Sequence, residues 1–206
     1  MKKQVNYNHY DFEKYVWLDR FCSFWYQLKL IYERKPKSIL EIWVGSWYNI
    51  CFLKKDFIYK TMDIDKDLTP DFVGDISDSS DLPNEKFDIV CAFQVLEHIP
   101  FNKFEVSLQN MKKLSNKYII ISLPYKKVWL GFCIKLPLIK TIKINLSFPM
   151  FWVTHKFDWQ HYWEVGAKNY SVSKIKKLLS KYWVLEEVIF PFENMYHIFF
   201  VLKINN

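Results

Sequence analysis

The sequence predicts an α/β fold in which a mostly parallel, seven-stranded sheet carries helices on both faces and a cap is inserted late in the chain. Three observations predict it. Short apolar runs alternate with segments of helical period through residue 123, the order expected of strand–helix units feeding a parallel sheet. The run Tyr118-Ile119-Ile120-Ile121-Ser122-Leu123 is apolar almost throughout, as in a strand covered on both faces. Acidic residues recur at the carboxyl ends of successive runs, where open α/β sheets bind ligands.

The elements follow in order. Residues 11–34 read as a helix, with Phe12, Tyr15, Val16, Cys22, Trp25 and Tyr26 near one stripe and Pro36 ending it. Strand one spans 37–44 and closes on Gly45; a helix over 46–55 follows the turn. Strands two and three are 58–63 and 71–73, and the loop 77–86 is rich in turn formers around Pro83. Strand four is 87–93. Asn102, with Glu105 three residues on, gives a capping-box-like start to a helix that buries Phe104, Leu108 and Met111. Strand five is 118–123. Ser171 opens the last helix, with Ile175, Leu178, Leu179 and Tyr182 on one face, before strands 183–190 and 196–202.

Between residues 124 and 170 the alternation stops. Lysines mix there with Trp129, Phe132, Phe148, Phe151, Trp152, Phe157, Trp159, Tyr162 and Trp163, and Pro137 and Pro149 interrupt any long helix. A segment this long without its own structure reads as a functional insertion, a cap over the ligand end of the sheet. One domain is expected, divided into an N-terminal helical segment (1–36), a cofactor-binding core (37–124), a substrate cap (125–170) and a C-terminal helix with a strand pair (171–206).

Composition bounds the function. A chain of 206 residues that is 50% hydrophobic is large enough for a sizeable core and too apolar to be disordered. No apolar run nears the roughly 18 residues of a bilayer span, and the first residues lack a signal-peptide core, so a cytoplasmic protein is expected. Cys22, Cys51, Cys91 and Cys133 form no Cys-x-x-Cys pair and fit buried thiols better than disulfides. The net charge of +7 permits contact with nucleic acid or an anionic membrane and specifies neither.

The acids at the strand ends carry the chemistry. A nucleoside presents ribose hydroxyls and, in adenosine, an exocyclic amino group, all donors; ionised carboxylates are pure acceptors. Asp63 ends strand two, and Asp75 follows strand three after Gly74. The pattern points to a nucleoside-containing ligand.

Residues 37–124 resemble the class I S-adenosylmethionine-dependent methyltransferases, most closely the methyltransferase type 11 group with its Rossmann-like sheet. The motifs are Glu41-Ile42-Trp43-Val44-Gly45-Ser46-Trp47, Asp63, Gly74-Asp75 with Leu82-Pro83, and Phe87-Asp88-Ile89-Val90 running into Val95-Leu96-Glu97-His98-Ile99. The resemblance implies S-adenosylmethionine as cofactor. It implies that Asp63 accepts from the ribose hydroxyls and Asp75 from the adenine amino group, with the Ile76 backbone reading the ring. Glu41 would lie near the methionine ammonium, Gly45 would admit the cofactor to the backbone, and Gln94 would border the methionine or the substrate entrance. His98 is the first candidate for a catalytic base and His161 the second, because neutral imidazole is present near pH 7. No metal is expected, since His155, Asp158, His161 and Glu164 match no zinc spacing. The acceptor would be a small molecule, sugar or lipid-linked intermediate, and the basic, aromatic cap suits peripheral contact with an anionic membrane.

Trp43 and Trp47 stand where the family carries glycine. Glycine permits positive φ and close backbone approach there, and another residue held left-handed costs roughly 1–2 kcal/mol. A methyltransferase-like binding protein without catalysis is therefore a second reading. A nucleic-acid methyltransferase is a third, although Ser122-Leu123-Pro124-Tyr125 is a poor substitute for a base-holding Asn/Asp-Pro-Pro-Tyr motif. A nicotinamide-binding domain is a fourth, and it lacks the Gly-x-Gly-x-x-Gly phosphate fingerprint.

Overall fold

The computed structural model describes residues 16–43, 47–158 and 160–204, with Trp47 described by its backbone alone. In chain order the elements are α1 (Leu18–Glu33), β1 (Ser38–Ile42), α2 (Trp47–Asp56), β2 (Ile58–Asp63), β3 (Phe72–Val73), β4 (Phe87–Phe93), α3 (Phe101–Leu114), β5 (Ser115–Pro124), β6 (Lys127–Ile134), β7 (Ile142–Pro149), α4 (Val172–Ser180), β8 (Val184–Ile189) and β9 (His197–Lys203). Seven strands form one sheet in the order β3-β2-β1-β4-β5-β9-β8. The first five are parallel; β9 runs antiparallel to both β5 and β8. The winding reverses between β1 and β4, so a crevice opens beyond their carboxyl ends.

Strand alternation sorts the core into two layers. Along β1, Ile39 joins Leu30, Ile31, Leu53, Tyr59, Ile89 and Cys91 on the face covered by α1 and α2. Leu40 and Ile42 point the other way, into the larger cluster with Phe104, Leu108 and Met111 of α3 and Ile175 and Leu179 of α4. Glu41 shares the Ile39 face by the same period of two. β5 is paired on both edges and buries both faces, Ile119 and Ile121 in one cluster and Ile120 in the other, which explains its apolar run.

The helices depart from expectation in two places. The buried residues of α1 are Ser23, Phe24, Gln27, Leu30 and Ile31, spaced as one helical face, while Trp25 is exposed. Helix α3 begins at Phe101 after Pro100, without a side-chain cap, so Asn102 lies inside its first turn. Glu105 instead accepts from Lys181 Nζ at 3.1 Å and from the Tyr182 hydroxyl, tying α3 to the end of α4. Ser171 does cap α4, accepting from Lys174 N at 3.2 Å.

The segment 125–170 is not structureless, as the sequence suggested. β6 and β7 pair antiparallel over their whole length, from Lys127 with Pro149 to Ile134 with Ile142. The hairpin rests against the turn before β9: Lys143 pairs with Glu193, and Gly131 meets the Phe192 ring. Residues 160–167 cover the loop after β4. Tyr162 N donates to Glu97 O at 2.8 Å, and the buried Trp163 indole donates to Ile99 O at 3.0 Å. Among the described residues, no helix is long and apolar enough to cross a membrane.

Candidate functional site

The hollow at the strand ends is built from four elements. Ile42 and Trp43 come from the end of β1 and the residue after it, Met62, Asp63 and Ile64 from the end of β2 and the residue after it, Gly74, Asp75 and Ile76 from the loop after β3, and Val95 and Ile99 from the loop after β4. Counting all the open space at its mouth it holds about 260 Å³, and its enclosed part is far smaller than an ordinary small-molecule site. Asp63 is buried and accepts from Asp65 N at 2.8 Å; Asp75 accepts from Ser77 N at 2.8 Å. These backbone donors fix each carboxylate's direction. Gly74 allows the close approach that places Asp75, because a Cβ there would lie 2.8 Å from both Asp81 O and Met62 Cε.

Trp43 explains the narrowness. Its φ is +70°, the left-handed conformation that favours glycine, and its N donates to Met62 O at 2.7 Å. Gln94, at the end of the adjoining β4, is also left-handed at φ +58° and donates from Nε2 to Ser122 Oγ at 3.1 Å. Two non-glycine residues therefore hold unfavourable backbone on either side of the topological switch, a pattern that marks constrained sites.

Two residues expected nearer the methionine end of the cofactor are not among those lining this hollow. Glu41 does not line the hollow; alternation turns it to the α1–α2 face. There it accepts from Asn49 Nδ2 at 3.0 Å and from Tyr59 Oη at 2.5 Å, and Asn49 also donates to Gln27 Oε1 at 2.8 Å. Burial pushes the Glu41 carboxyl up to about 7 against these hydrogen bonds. Gln94 is likewise not among the lining residues. Gly45 and the Trp47 side chain fall outside the described residues.

The two candidate bases meet at one carboxylate. Glu97 is fully buried, and neither of its side-chain oxygens has a hydrogen-bond partner among the described residues. Its Oε1 lies 4.0 Å from Nε2 of both His98 and His161. His98 Nδ1 is 2.9 Å from Gln160 O, and a carbonyl only accepts, so that nitrogen carries hydrogen. His161 Nδ1 is 3.1 Å from Glu164 Oε1 and is protonated by the same reasoning. Proton exchange thus falls to the two Nε2 atoms facing Glu97. Burial pushes the Glu97 carboxyl up to about 7. Burial alone would lower His161, but the Glu164 hydrogen bond and the charges of Glu97 and Glu164 raise it.

Glu164 anchors this cluster. It accepts from the Tyr196 hydroxyl and pairs with Lys126 Nζ at 3.2 Å. Burial opposes its ionisation, yet His161, Tyr196 and Lys126 hold its carboxyl down at about 2. Sequence reasoning missed Tyr196 and Lys126, since no spacing links them to Glu164. Among the described residues, two sets could hold a divalent cation, Glu97 with His98 and His161 or Asp158 with His161 and Glu164; each brings its ligand atoms within 4.8 Å.

No family model matches the sequence, and no curated protein does either. Solved structures do match. An S-adenosylmethionine-dependent methyltransferase from Clostridium acetobutylicum is 10% identical, with 98% of this chain and 93% of that one covered at a TM-score of 0.55. The N-methyltransferase NodS from Bradyrhizobium japonicum, solved with S-adenosylhomocysteine, is 9% identical over 88% and 87% at 0.54. The 1,6-didemethyltoxoflavin N1-methyltransferase of Burkholderia thailandensis, solved with 1,6-didemethyltoxoflavin and S-adenosylhomocysteine, is 11% identical over 91% and 86% at 0.54. The chain has the Rossmann-like fold of the class I S-adenosylmethionine-dependent methyltransferases, as its motifs suggested.

Proposed function

We propose that this protein is an S-adenosylmethionine-dependent methyltransferase acting on a small-molecule acceptor. The observation that carries the reading is the convergence of Asp63 and Asp75 on one hollow at the topological switch. Their carboxylates suit the ribose hydroxyls and the adenine amino group, while Ile42, Met62, Val95 and Ile99 offer the apolar walls that a purine ring needs. The bound cofactor supplies a methyl carbon activated by a sulfonium. Residues 37–124 bind it, and residues 125–170 close the acceptor side.

His98 sits where the two sides meet. Its ring is 4.7 Å from the Trp43 indole and 5.0 Å from His161, centroid to centroid. A hydroxyl or amine brought to this seam would pass a proton to His98 Nε2, and Glu97 would stabilise the imidazolium formed. Such a positioned base contributes typically about 10²–10⁴-fold. His161, held by Glu164, is the second proton acceptor. The finer reading of the acceptor is a lipid-linked or other anionic amphiphile, supported by the lysines and exposed aromatics of the segment beside the site.

Isothermal titration with S-adenosylhomocysteine tests the reading, with NAD as control. Binding of the first and not the second is expected; no heat or thermal shift at millimolar S-adenosylhomocysteine removes the enzyme reading. Trp43 favours one alternative, a methyltransferase-like binding protein whose indole takes the cofactor's space. In that case the Trp43→Gly variant binds S-adenosylhomocysteine and the native protein does not.

A further inference from the structure

The β6–β7 hairpin presents apolar side chains where a water-facing hairpin would alternate. Consecutive Val128, Trp129 and Leu130 are all about half exposed, as are Phe132, Ile134, Ile142, Ile144 and Leu146, and Phe148 is more exposed still. Among the described residues, Gly131 and Asn145 at its middle touch the body at Phe192 and Met195, and Lys143 pairs with Glu193. A two-stranded hairpin is marginal in water by itself, and apolar residues on both faces leave it in need of a second phase.

The turn states which phase. It reads Lys135-Leu136-Pro137-Leu138-Ile139-Lys140: an apolar tip with a lysine at either shoulder. Leu138 is fully exposed and is held left-handed at φ +65°. Around this tip the charge has one sign. From Val106 to Phe157 the chain has nine lysines and no aspartate or glutamate. Of the hairpin's cations, Lys143 is paired by Glu193 and Lys127 lies over the Tyr125 and Phe190 rings, while Lys135 and Lys140 stand exposed at the tip. A protein partner recognised by such a patch would need matching acids around an apolar pocket. The headgroup–acyl boundary of an anionic bilayer offers both phases at once, with long lysine side chains reaching back to the phosphates.

We propose that the β6–β7 hairpin is a membrane-docking wedge for anionic lipid surfaces, with Leu136, Leu138 and Ile139 entering the interface and Lys135 and Lys140 at headgroup level. At its base Lys126 pairs with Glu164, the residue that holds His161, so docking brings the acceptor side of the site to the bilayer. The wedge itself stands whether or not the protein transfers methyl groups.

Vesicle co-sedimentation tests it, with S-adenosylhomocysteine titration run alongside so that wedge and enzyme readings fail separately. The full chain should sediment with phosphatidylglycerol vesicles and at least tenfold less with phosphatidylcholine, and high salt should weaken binding. The double variant Leu138→Asp, Ile139→Asp should lose tenfold or more of vesicle binding with its circular dichroism and melting temperature unchanged. Lys135→Glu with Lys140→Glu should abolish the preference for anionic lipid. Wild-type protein that stays in the supernatant with phosphatidylglycerol overturns the proposal. So does a concentration-dependent dimer, broken by the Leu138→Asp, Ile139→Asp pair, in a protein that ignores vesicles.

Discussion

The Trp43 indole lies 4.7 Å from the His98 imidazole, centroid to centroid, so the side chain that narrows the hollow proposed for the cofactor also touches the candidate base. Trp43 follows β1 and His98 ends the 3-10 turn after β4. Only the reversal of strand winding between β1 and β4 brings them together. Any movement of the indole to admit a ligand is therefore felt at the imidazole.

Replacing Trp43 with glycine should widen the hollow and relieve a left-handed backbone worth roughly 1 kcal/mol. We expect S-adenosylhomocysteine to bind at least tenfold more tightly, read by calorimetry. An unchanged affinity would show that the indole already rotates clear of the ligand.

Asp63→Asn keeps an oxygen for Asp65 N and loses the charge. Charged hydrogen bonds contribute about 1.5–3 kcal/mol, so S-adenosylhomocysteine affinity should drop on the order of 10- to 100-fold. The melting temperature should move little. Equal binding by the variant and the native chain would place the ribose elsewhere.

Glu97 sets a pH dependence. Burial raises its carboxyl from an unfolded 4.5 to about 7, so between those values the folded state holds a proton that the unfolded state releases. Stability then falls as pH rises through the window. Glu97→Gln cannot ionise, and relative to the native chain it should gain up to about 3 kcal/mol between pH 4.5 and 8. Raised His161 acts with the same sign, its stabilisation being lost as pH rises through its folded pKa. Burial holds His197 down at about 3, giving the opposite slope from pH 3 to 6.5. Urea unfolding of native and variant proteins across pH isolates the Glu97 share, and a flat difference would mean that its carboxylate reaches water.

The Gln27–Asn49–Glu41–Tyr59 chain should be structural. Asn49→Leu leaves a buried carboxylate and a buried amide each short of one partner, at a loss of about 2–3 kcal/mol in urea unfolding. Retained S-adenosylhomocysteine binding in a destabilised variant is the expected signature. Loss of ligand affinity with stability intact would instead tie Glu41 to the cofactor.

Much of the fold was legible because local rules agree with it. The strands of the parallel half stand where the apolar runs put them, and Ser171 caps its helix as its type dictates. Asn102 misled because Pro100 lets the helix start two residues earlier and Glu105 is drawn off by Lys181 and Tyr182. The β6–β7 hairpin escaped notice because its strands do not alternate: a two-residue period appears only when one face meets water and the other a core.

The sequence by itself determined the sheet, the acids at its strand ends and the histidines worth suspecting, because each depends on neighbours along the chain. Tertiary structure alone decided which of them meet. Alternation turned Glu41 away from the hollow and placed Asp63 with Asp75. Folding residues 160–167 onto the loop after β4 set Glu97 between two imidazoles drawn from positions more than sixty residues apart. Those relations are set by packing across the switch point, where spacing along the chain carries no information.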